Sequence, residues 1–266
     1  MNPPEEDFLP SLKEKCLQTA QPLLRYPGGK QRAVKIIMKY IPEGIERLCS
    51  PFLGGGSIEL ACAGTGIKVL ASDAFEPLTT FWDMLMKNPV LLATQVKKYY
   101  PLQSSTFYSL QKSFPIIKAP LERAAVFYVL NRASFSGTTL SGGMSKNHPR
   151  FTLSGIKKLE KFYCPNLSVS NADFRDALHK YADDFLYLDP PYANGGRLYG
   201  IRGDMHKEFP HDILAEELRA RRGWILSYND SSFVRQLYKG YRIEPLEWQY
   251  GMSIAKNSNE VLVISA

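Results

Sequence analysis

The stretch "IERLCSPFLGGGSIELACAGTGIKVLASD" (residues 45–73) decides the fold class. Its pattern predicts a strand over 45–52 that runs into a glycine loop, a helix stopped by Gly64 and Gly66, and a second strand over 67–73. Two strands joined by a helix form a β-α-β unit, in which the strands are parallel. Such units build doubly wound sheets, whose ligands bind at the carboxyl ends of the strands.

Beyond this unit the alternation of strands and helices stops and later resumes. Helical segments such as 89–100 and 120–133 dominate residues 81–163, where the sequence gives no parallel-strand signal. Four further apolar stretches predict strands, namely 166–174, 184–192, 223–230 and 259–266. The sequence therefore predicts an α/β fold, in which a doubly wound, mostly parallel sheet carries an inserted, mainly helical domain.

These segments divide the chain into three parts. Residues 1–22 are rich in proline and charge, so we expect a flexible N-terminal arm. Residues 23–80 and 164–266 are expected to form the α/β domain, and residues 81–163 the insertion.

The composition excludes a disordered protein and favours an anionic partner. Hydrophobic residues make up 44% of the chain and aromatic residues 12%, which is enough for a large core. Lysine and arginine outnumber aspartate and glutamate by 33 to 26, which gives a formal net charge of +7. Such an excess is typical of proteins that bind nucleic acids, among other classes.

The cysteine pattern and the hydropathy indicate where the protein works. The four cysteines are Cys16, Cys49, Cys62 and Cys164, and they form no CxxC pair and no metal-ligand spacing with the four histidines. We therefore expect reduced thiols and no metal. No stretch approaches the length of a membrane span, and residues 1–20 lack the apolar segment of a signal peptide. These features predict a cytoplasmic protein without a membrane partner.

The glycine loop indicates the type of cofactor. Gly54, Gly55 and Gly56 let the backbone come close to a ligand, because no Cβ intrudes. The run lacks the G-x-G-x-x-G spacing of a dinucleotide site and the Gly-Lys-Ser/Thr of a P-loop. Asp73 ends the next strand, where its carboxylate can accept hydrogen bonds from ribose hydroxyls. S-adenosylmethionine fits this pattern, and a tight turn beside a surface aspartate is the alternative.

The tetrapeptide Asp189-Pro190-Pro191-Tyr192 follows the apolar run 185–188. An exocyclic amine of a nucleobase is a poor nucleophile, because its lone pair is delocalised into the ring. The carboxylate of Asp189 and the carbonyl of Pro190 can accept from its two N–H groups, and the prolines fix the backbone. Tyr192 can stack on the base with about 1–3 kcal/mol, once the base has been flipped out of the duplex. The alternative is a stiffened turn whose aspartate caps a helix.

Five motifs occur along the chain in this order: "LLRYPGGK" (23–30), "SPFLGGGS" (50–57), "ASD" (71–73), "NADF" (171–174) and "LDPPY" (188–192). Together they resemble the motifs of the DNA adenine methylase family, the D12 class of S-adenosylmethionine-dependent N6-adenine DNA methyltransferases. The resemblance extends from Leu23 to the final predicted strand. Five short motifs in one order are far more specific than any one of them.

The resemblance implies which residues contact the cofactor. In the family, an aromatic residue and a lysine hold the methionine part, which points to Tyr26 and Lys30. An acid binds the ribose and an Asp-Phe pair meets the adenine, which points to Asp73, Asp173 and Phe174. The set implied for the cofactor is Tyr26, Lys30, Pro51, Phe52, Gly54, Gly56, Asp73, Asp173, Phe174 and Asp189. The set implied for catalysis is Asp189, Pro190, Pro191 and Tyr192.

The resemblance also implies that the insertion recognises the DNA target. The segment "NRASFSGTTLSGG" (131–143) is similar to one that precedes a DNA-contacting hairpin in the family, although Ser136-Gly137 stands in place of the usual Asn-Gly. The residues expected at the DNA are Asn131, Arg132, Arg150 and Arg197. For the first three, a structural role or a simple phosphate contact is the alternative.

Two further features are expected beside the DNA. The basic residues around the insertion line the path of a DNA backbone or form a solvated face, and they are Lys146, Arg150, Lys157, Lys158 and Lys161. The long glycine-rich loop after the tetrapeptide carries Arg197 and Arg202, and we expect it to close over the flipped base.

These observations predict a site-specific DNA methyltransferase that moves a methyl group from S-adenosylmethionine to the N6 amine of a flipped adenine in double-stranded DNA. A direct in-line displacement suffices, with proximity and orientation giving most of the acceleration. Methylation of the cytosine amine, an RNA substrate and a catalytically silent DNA-binding module of the same fold stay open. The oligomeric state and a partnership with a cognate restriction endonuclease are also open.

Overall fold

A seven-stranded sheet is the framework of the computed structural model, which describes residues 23–26, 28–145, 150–192, 209–246 and 259–265. The strands are β1 (Arg47–Ser50), β2 (Lys68–Asp73), β3 (Leu167–Asn171), β4 (Phe185–Leu188), β5 (Trp224–Asn229), β6 (Arg242–Leu246) and β7 (Glu260–Ile264). Their order across the sheet is β3-β2-β1-β4-β5-β7-β6. The pairs from β3 to β5 are parallel, whereas β7 runs antiparallel to β5 and β6. The predicted mostly parallel α/β sheet is confirmed.

The helices of the described residues connect and cover these strands. They are α1 (Val34–Ile37), α2 (Ser57–Gly64), α3 (Glu76–Lys87), α4 (Pro89–Lys97), α5 (Ser104–Ser113), α6 (Pro120–Ala133), α7 (Leu153–Glu160), α8 (Phe174–Lys180), α9 (His211–Arg219) and α10 (Ser232–Leu237). Several begin with a proline in the first turn, where no intrahelical donor is needed. Among the described residues, no helix has the length and apolar character that a membrane crossing requires.

The two faces of the sheet are buried in two different cores. Successive residues of a strand point to opposite faces, so Leu186 and Leu188 join one core and Tyr187 the other. The core that contains Leu186 also receives apolar side chains of α8, α9 and α10. Tyr187 packs in the core that the insertion helices share, and this two-sided burial is typical of a doubly wound sheet.

The insertion packs into the same core as one face of the sheet. Phe81 and Trp82 on α3 are fully buried, and Phe81 stacks on Tyr128 of α6 with ring centroids 5.7 Å apart. The predicted helices at 89–100 and 120–133 are present as α4 and α6. The division of the chain into three parts stays a prediction, and residues 1–22 lie outside the described part.

One strand was not predicted, and some predicted elements end early. β6 alternates charged and apolar residues and contains Pro245, which suits its position at the sheet edge but hides it from a search for apolar runs. The stretch 166–174 is a strand only to Asn171, because Asp173 accepts a hydrogen bond from the backbone N–H of Arg175 and caps α8.

The strand order indicates which edge of the sheet can bind a ligand. From β1 the chain continues outward through β2 and β3, whereas β4 and β5 lie on the other side of β1. The order therefore switches direction between β1 and β4. In open α/β sheets, a crevice forms at the carboxyl ends of the strands at such a switch point.

The glycine loop after β1 needs glycine for reasons within the protein itself. Gly54 and Gly56 have φ angles of +48° and +72°, which other residues rarely adopt. A Cβ on Gly54 would lie 2.9 Å from the Tyr26 ring, and one on Gly56 would lie 2.8 Å from the Trp82 ring. The indole of Trp82 also donates a hydrogen bond to the carbonyl of Gly54 (3.2 Å). The glycines were predicted to let a ligand approach the loop backbone. In the structure they also let the rings of Tyr26 and Trp82 pack against it.

Replacing Gly56 with alanine should lower the free energy of unfolding by about 2–4 kcal/mol, because backbone strain adds to the overlap with Trp82. Gly44→Ala is a matched control, because Gly44 has a φ of +79° and a Cβ added there would meet nothing within 4 Å. The control should lose only about 1 kcal/mol from backbone strain. Urea unfolding measures both, and equal losses would contradict the packing explanation.

Candidate active site

A cavity of about 360 Å³ lies at the carboxyl ends of the central strands. All the residues predicted to contact the cofactor line it, namely Tyr26, Lys30, Pro51, Phe52, Gly54, Gly56, Asp73, Asp173, Phe174 and Asp189. Pro191 and Tyr192 also line it, whereas Pro190 is buried and does not. Five motifs that are far apart in the sequence therefore meet around one space large enough for a small-molecule ligand.

The first motif forms a tight turn that carries Lys30 to the cavity. The N–H of Gly29 donates to the carbonyl of Tyr26 (3.0 Å), and Gly28 has a φ of +71°. The side chain of Lys30 is almost fully buried, and its Nζ donates to the carbonyl of Gly28 (2.9 Å). The same ammonium lies 2.8 Å from Oδ1 and 2.9 Å from Oδ2 of Asp189. The motif therefore combines a turn with a lysine whose ammonium reaches the cavity.

Asp73 is held rigidly beside the glycine loop. Its Oδ2 accepts from the N–H of Gly54 (3.0 Å) and its Oδ1 from the N–H of Phe75 (2.9 Å). Burial raises the pKa of Asp73 to about 6, and these two hydrogen bonds oppose the rise. Each carboxylate oxygen has a further lone pair, so Asp73 can still accept from hydroxyl groups of a ligand in the cavity.

Three phenylalanine rings form an apolar wall of the cavity. The ring centroid of Phe174 lies 5.7 Å from that of Phe52 and 5.4 Å from that of Phe209, and the centroids of Phe52 and Phe209 are 5.5 Å apart. Asp173 adds a carboxylate beside this wall, and the guanidinium of Arg175 lowers the pKa of that carboxyl. A flat heterocycle with polar edges suits this surface. Phe209 was not predicted, because it belongs to none of the five motifs.

Asp189 is engaged on both carboxylate oxygens. Besides the ammonium of Lys30, its Oδ1 receives a hydrogen bond from Oγ of Ser227 (2.8 Å) and lies 3.4 Å from the hydroxyl of Tyr192. β4 ends at Leu188, and no helix follows within 189–192, so Asp189 is not the helix cap considered as the alternative. Its side chain is 22% exposed, which leaves it open to the cavity.

Tyr192 lies within an aromatic stack beside Asp189. Its ring is stacked on Tyr228 with centroids 5.7 Å apart, and the ammonium of Lys30 lies 4.9 Å from its centroid. The hydroxyl of Tyr228 is in turn hydrogen bonded to Nδ1 of His211. Burial raises the pKa of Tyr192 far above its usual value, and the charges of Asp189 and Glu260 raise it further. Tyr192 is therefore a neutral hydrogen-bond donor with a fixed ring.

Two acidic residues at this site were not predicted. Glu59, in the first turn of α2, is 2% exposed, lines the cavity and accepts from Oγ of Ser50 (2.6 Å). Its burial raises the pKa of this carboxyl to about 7. Glu260, the first residue of β7, has its Oε2 3.6 Å from Nζ of Lys30. A single acid within an otherwise buried, apolar helix was the signal that could have identified Glu59.

Comparison with known proteins gives the family. The profile of the D12 class N6 adenine-specific DNA methyltransferases matches residues 26–252. The chain belongs to this family. Its membership confirms the resemblance and the predicted class of enzyme, an adenine-specific DNA methyltransferase.

Individual relatives of this D12-class methyltransferase are distant but mostly similar along their whole length. The Type II methyltransferase M1.LlaDCHI of Lactococcus lactis subsp. cremoris is 23% identical over 260 residues, 89% of this chain and 91% of the relative. The DNA adenine methylase of Haemophilus influenzae is 24% identical over 276 residues, 95% and 93% of the two chains. The DNA N-6-adenine-methyltransferase of Escherichia phage P1 is 25% identical over 251 residues, which cover 84% of this chain but 32% of that longer protein.

Asn131 of this D12-class methyltransferase lies in the interior rather than on a DNA-facing surface. Its Oδ1 accepts from the N–H of Arg25 (2.7 Å), and its Nδ2 donates to the carbonyl of Arg25 (2.9 Å) and to Oγ1 of Thr139 (3.0 Å). These contacts use the side-chain amide of a residue that is 1% exposed. The expected DNA contact does not suit this position, and we propose that Asn131 positions Arg25 and the loop around Thr139.

The other residues expected at the DNA differ in their surroundings. Arg132 donates through Nε to the carbonyl of Arg150 (3.1 Å), and Arg150 is exposed. Burial and the neighbouring arginines lower the pKa values of Arg25 and Arg132, so these three residues form a cluster of mutually repelling cations. Lys157, Lys158 and Lys161 are exposed at or just after α7, whereas Lys146, Arg197 and Arg202 lie outside the described residues.

The burial of Glu59 predicts a pH-dependent effect of Glu59→Gln. Because its pKa is about 7 in the folded protein against a usual 4.5, the folded state binds more protons between these values, and its stability falls as the pH rises. Glu59→Gln removes this charge. The free energy of unfolding of the variant minus that of the wild type should therefore be about 2–3 kcal/mol larger at pH 8 than at pH 4.5. Urea unfolding at both pH values measures this difference.

Glu43→Gln, at an exposed position, is the control and should change the free energy of unfolding by a similar small amount at both pH values. If the wild type and Glu59→Gln showed parallel pH dependences, Glu59 would not be a buried ionisable group.

Proposed function

We propose that this protein is a site-specific DNA methyltransferase that transfers a methyl group from S-adenosylmethionine to the N6 amine of an adenine flipped out of double-stranded DNA. The transfer is a direct in-line displacement. One observation carries this proposal: in a member of this family, Asp189 and Tyr192 line the same cavity as the residues suited to the cofactor.

The cavity fits S-adenosylmethionine in size and in chemistry. The phenylalanine wall with Asp173 suits the adenine of the cofactor, the carboxylate of Asp73 suits the ribose hydroxyls, and Lys30 suits the methionine carboxylate. When bound, this cofactor supplies a methyl group attached to a positively charged sulfur. Asp189, Glu260 and Glu59 lie at or near the cavity, where Lys30 pairs with the first two. This excess of carboxyl groups over ammonium groups favours a cationic ligand.

Asp189 and Pro190 act on the substrate amine. The carboxylate of Asp189 accepts one N–H, the carbonyl of Pro190 accepts the other, and the nitrogen lone pair is thereby directed toward the methyl group. Ser227, Lys30 and Tyr192 hold the carboxylate of Asp189 in place before the base arrives. Such preorganisation lowers the barrier, because the acceptors need not reorganise during the reaction.

The insertion supplies target recognition in this proposal. Arg132 and Arg150 contact the DNA backbone, and Asn131 supports the loop that they flank. Relatives named as Type II methyltransferases extend the proposal to a restriction system, in which a cognate endonuclease would cleave the unmodified site. Methylation of the cytosine amine would need the same two acceptors, and membership of the adenine-specific family favours adenine.

Substituting Asp189 with alanine should abolish methyl transfer, because the amine loses its charged acceptor. Transfer of radiolabelled methyl groups to unmethylated duplex DNA, followed by nucleoside analysis, measures the activity and identifies the methylated base. We expect N6-methyladenine from the wild type and a loss of about 10³-fold or more in the variant.

The control for Asp189→Ala is the exposed acid Asp212, whose alanine variant should retain full activity. Binding of S-adenosylmethionine by calorimetry should be unchanged in Asp212→Ala and weakened but retained in Asp189→Ala, where the ammonium of Lys30 can still pair with Glu260. N4-methylcytosine as the product, methylation of RNA alone, or full activity of Asp189→Ala would each contradict the proposed reaction.

Replacing Arg132 or Arg150 with glutamine should weaken DNA binding similarly for all sequences. Each removes about one phosphate contact, so the slope of log affinity against log salt should fall by about 1. Arg235→Gln is the control, because this exposed arginine of α10 pairs with Asp230, and α10 packs in the core on the face of the sheet opposite the insertion helices. A slope unchanged from the wild type in both variants would place the DNA elsewhere.

A further inference from the structure

This inference rests on the proposed function, in which Asp189 accepts a hydrogen bond from the substrate amine although other donors already contact its carboxylate. The ammonium of Lys30 lies within hydrogen-bond distance of both carboxylate oxygens, and Ser227 donates to one of them. An acceptor that is occupied in this way is weakened toward an incoming amine. Oδ2 keeps a lone pair, but withdrawal of the ammonium from Asp189 would make the carboxylate a stronger acceptor for adenine.

Glu260 is placed to receive the ammonium. Its Oε2 lies 3.6 Å from Nζ of Lys30, and within the described part of the chain Asp189 and Glu260 are the two carboxylates within 4 Å of this atom. The Oε2 of Glu260 is buried and has no donor within hydrogen-bond distance among the described residues, although the nearby hydroxyl of Tyr192 and the ammonium of Lys30 oppose the rise of the pKa of this carboxyl. A buried acceptor without a donor is unfavourable, so a small movement of the ammonium toward Glu260 would remove this cost.

The sheet topology explains why an acid at the start of β7 reaches this site. Glu260 pairs with Asn229, the last residue of β5. Because β7 runs against the parallel strands, its first residue lies at the edge where those strands end, beside Asp189. Burial raises the pKa of Glu260. The charge of Asp189 raises it further, and the ammonium of Lys30 opposes the rise. Lys30 therefore stands between two acids.

We propose that Glu260 is a positioning residue for methyl transfer, which shares the ammonium of Lys30 with Asp189 and so frees a carboxylate oxygen for the substrate amine. No bond is made or broken in this step. The ammonium has three donors, of which one remains on the carbonyl of Gly28. Once the cofactor occupies the cavity, the other two donors serve Glu260 and the methionine carboxylate, and the carboxylate of Asp189 can accept from adenine.

Glu260→Gln tests this role, because it keeps the size of the side chain and removes the charge. We expect the single-turnover rate of methyl transfer to fall by about ten-fold or more, because Lys30 then stays on Asp189. Glu260→Asp retains the charge and should recover most of the rate, whereas a purely structural role would make the shorter side chain the more harmful. Binding of S-adenosylmethionine should change by less than about three-fold in either variant.

Glu244→Gln on the neighbouring strand β6 is the matched control, because this acid pairs with Arg242 and should leave the rate unchanged. Crystal structures with S-adenosylhomocysteine give a readout that does not depend on activity. The wild type should show Nζ of Lys30 bonded to Glu260 and released from one oxygen of Asp189, and Glu260→Gln should show it on both oxygens.

Two results would overturn the role of Glu260. One is a single-turnover rate of Glu260→Gln within about two-fold of the wild type. The other is a wild-type complex in which the ammonium still bonds both oxygens of Asp189 and does not touch Glu260. A wild type that methylates no adenine would instead refute the proposed function, and the crystal structures would still decide where Lys30 goes.

Discussion

The buried ion pair between Lys30 and Asp189 connects the two ends of the candidate site. The two residues are 159 positions apart in the sequence, and one comes from the motif before the sheet while the other directly follows its central strand β4. A lysine that is 4% exposed is costly without a partner, so its pair with Asp189 favours packing of the first motif against the tetrapeptide. This pairing holds the chain before β1 across the carboxyl ends of the strands, where it closes one side of the cavity.

The rest of the cavity depends on close packing around the glycine loop. Tyr26 lies against Gly54 and Gly55, Trp82 lies behind Gly56, and the carboxylate of Asp73 accepts from the loop backbone. The loop is therefore shaped by the protein before any ligand binds, and the pKa of Asp73 is raised because its charge is held in the same enclosed place. A ligand that enters finds its hydrogen-bond acceptors already fixed, so little conformational entropy is lost on binding.

The position of residues at the carboxyl ends of the parallel strands was predictable from the sequence, because parallel strands bring these ends to one edge of the sheet. Asp73 and Asp189 were found in this way, and both line the cavity. Glu260 is the first residue of the antiparallel strand β7, so a rule that considers only the carboxyl ends of strands does not predict it. Asn131 shows a second limit, since an Asn-Arg motif does not reveal that the asparagine is buried against Arg25. β6 was missed because an edge strand with a proline carries no apolar run.

The insertion and the cavity are joined through the main chain of two adjacent residues. Asn131 clamps the backbone of Arg25 from both sides, and a Cβ on Gly137 would lie 2.3 Å from the carbonyl of Arg25, so the loop of the insertion packs directly on this residue. Tyr26 follows at once and covers the glycine loop. If the insertion loop binds DNA and Tyr26 contacts the cofactor, as proposed, a movement of the loop is transmitted to Tyr26 through the backbone of Arg25. Because such coupling is reciprocal, we expect each ligand to change the affinity for the other by the same factor.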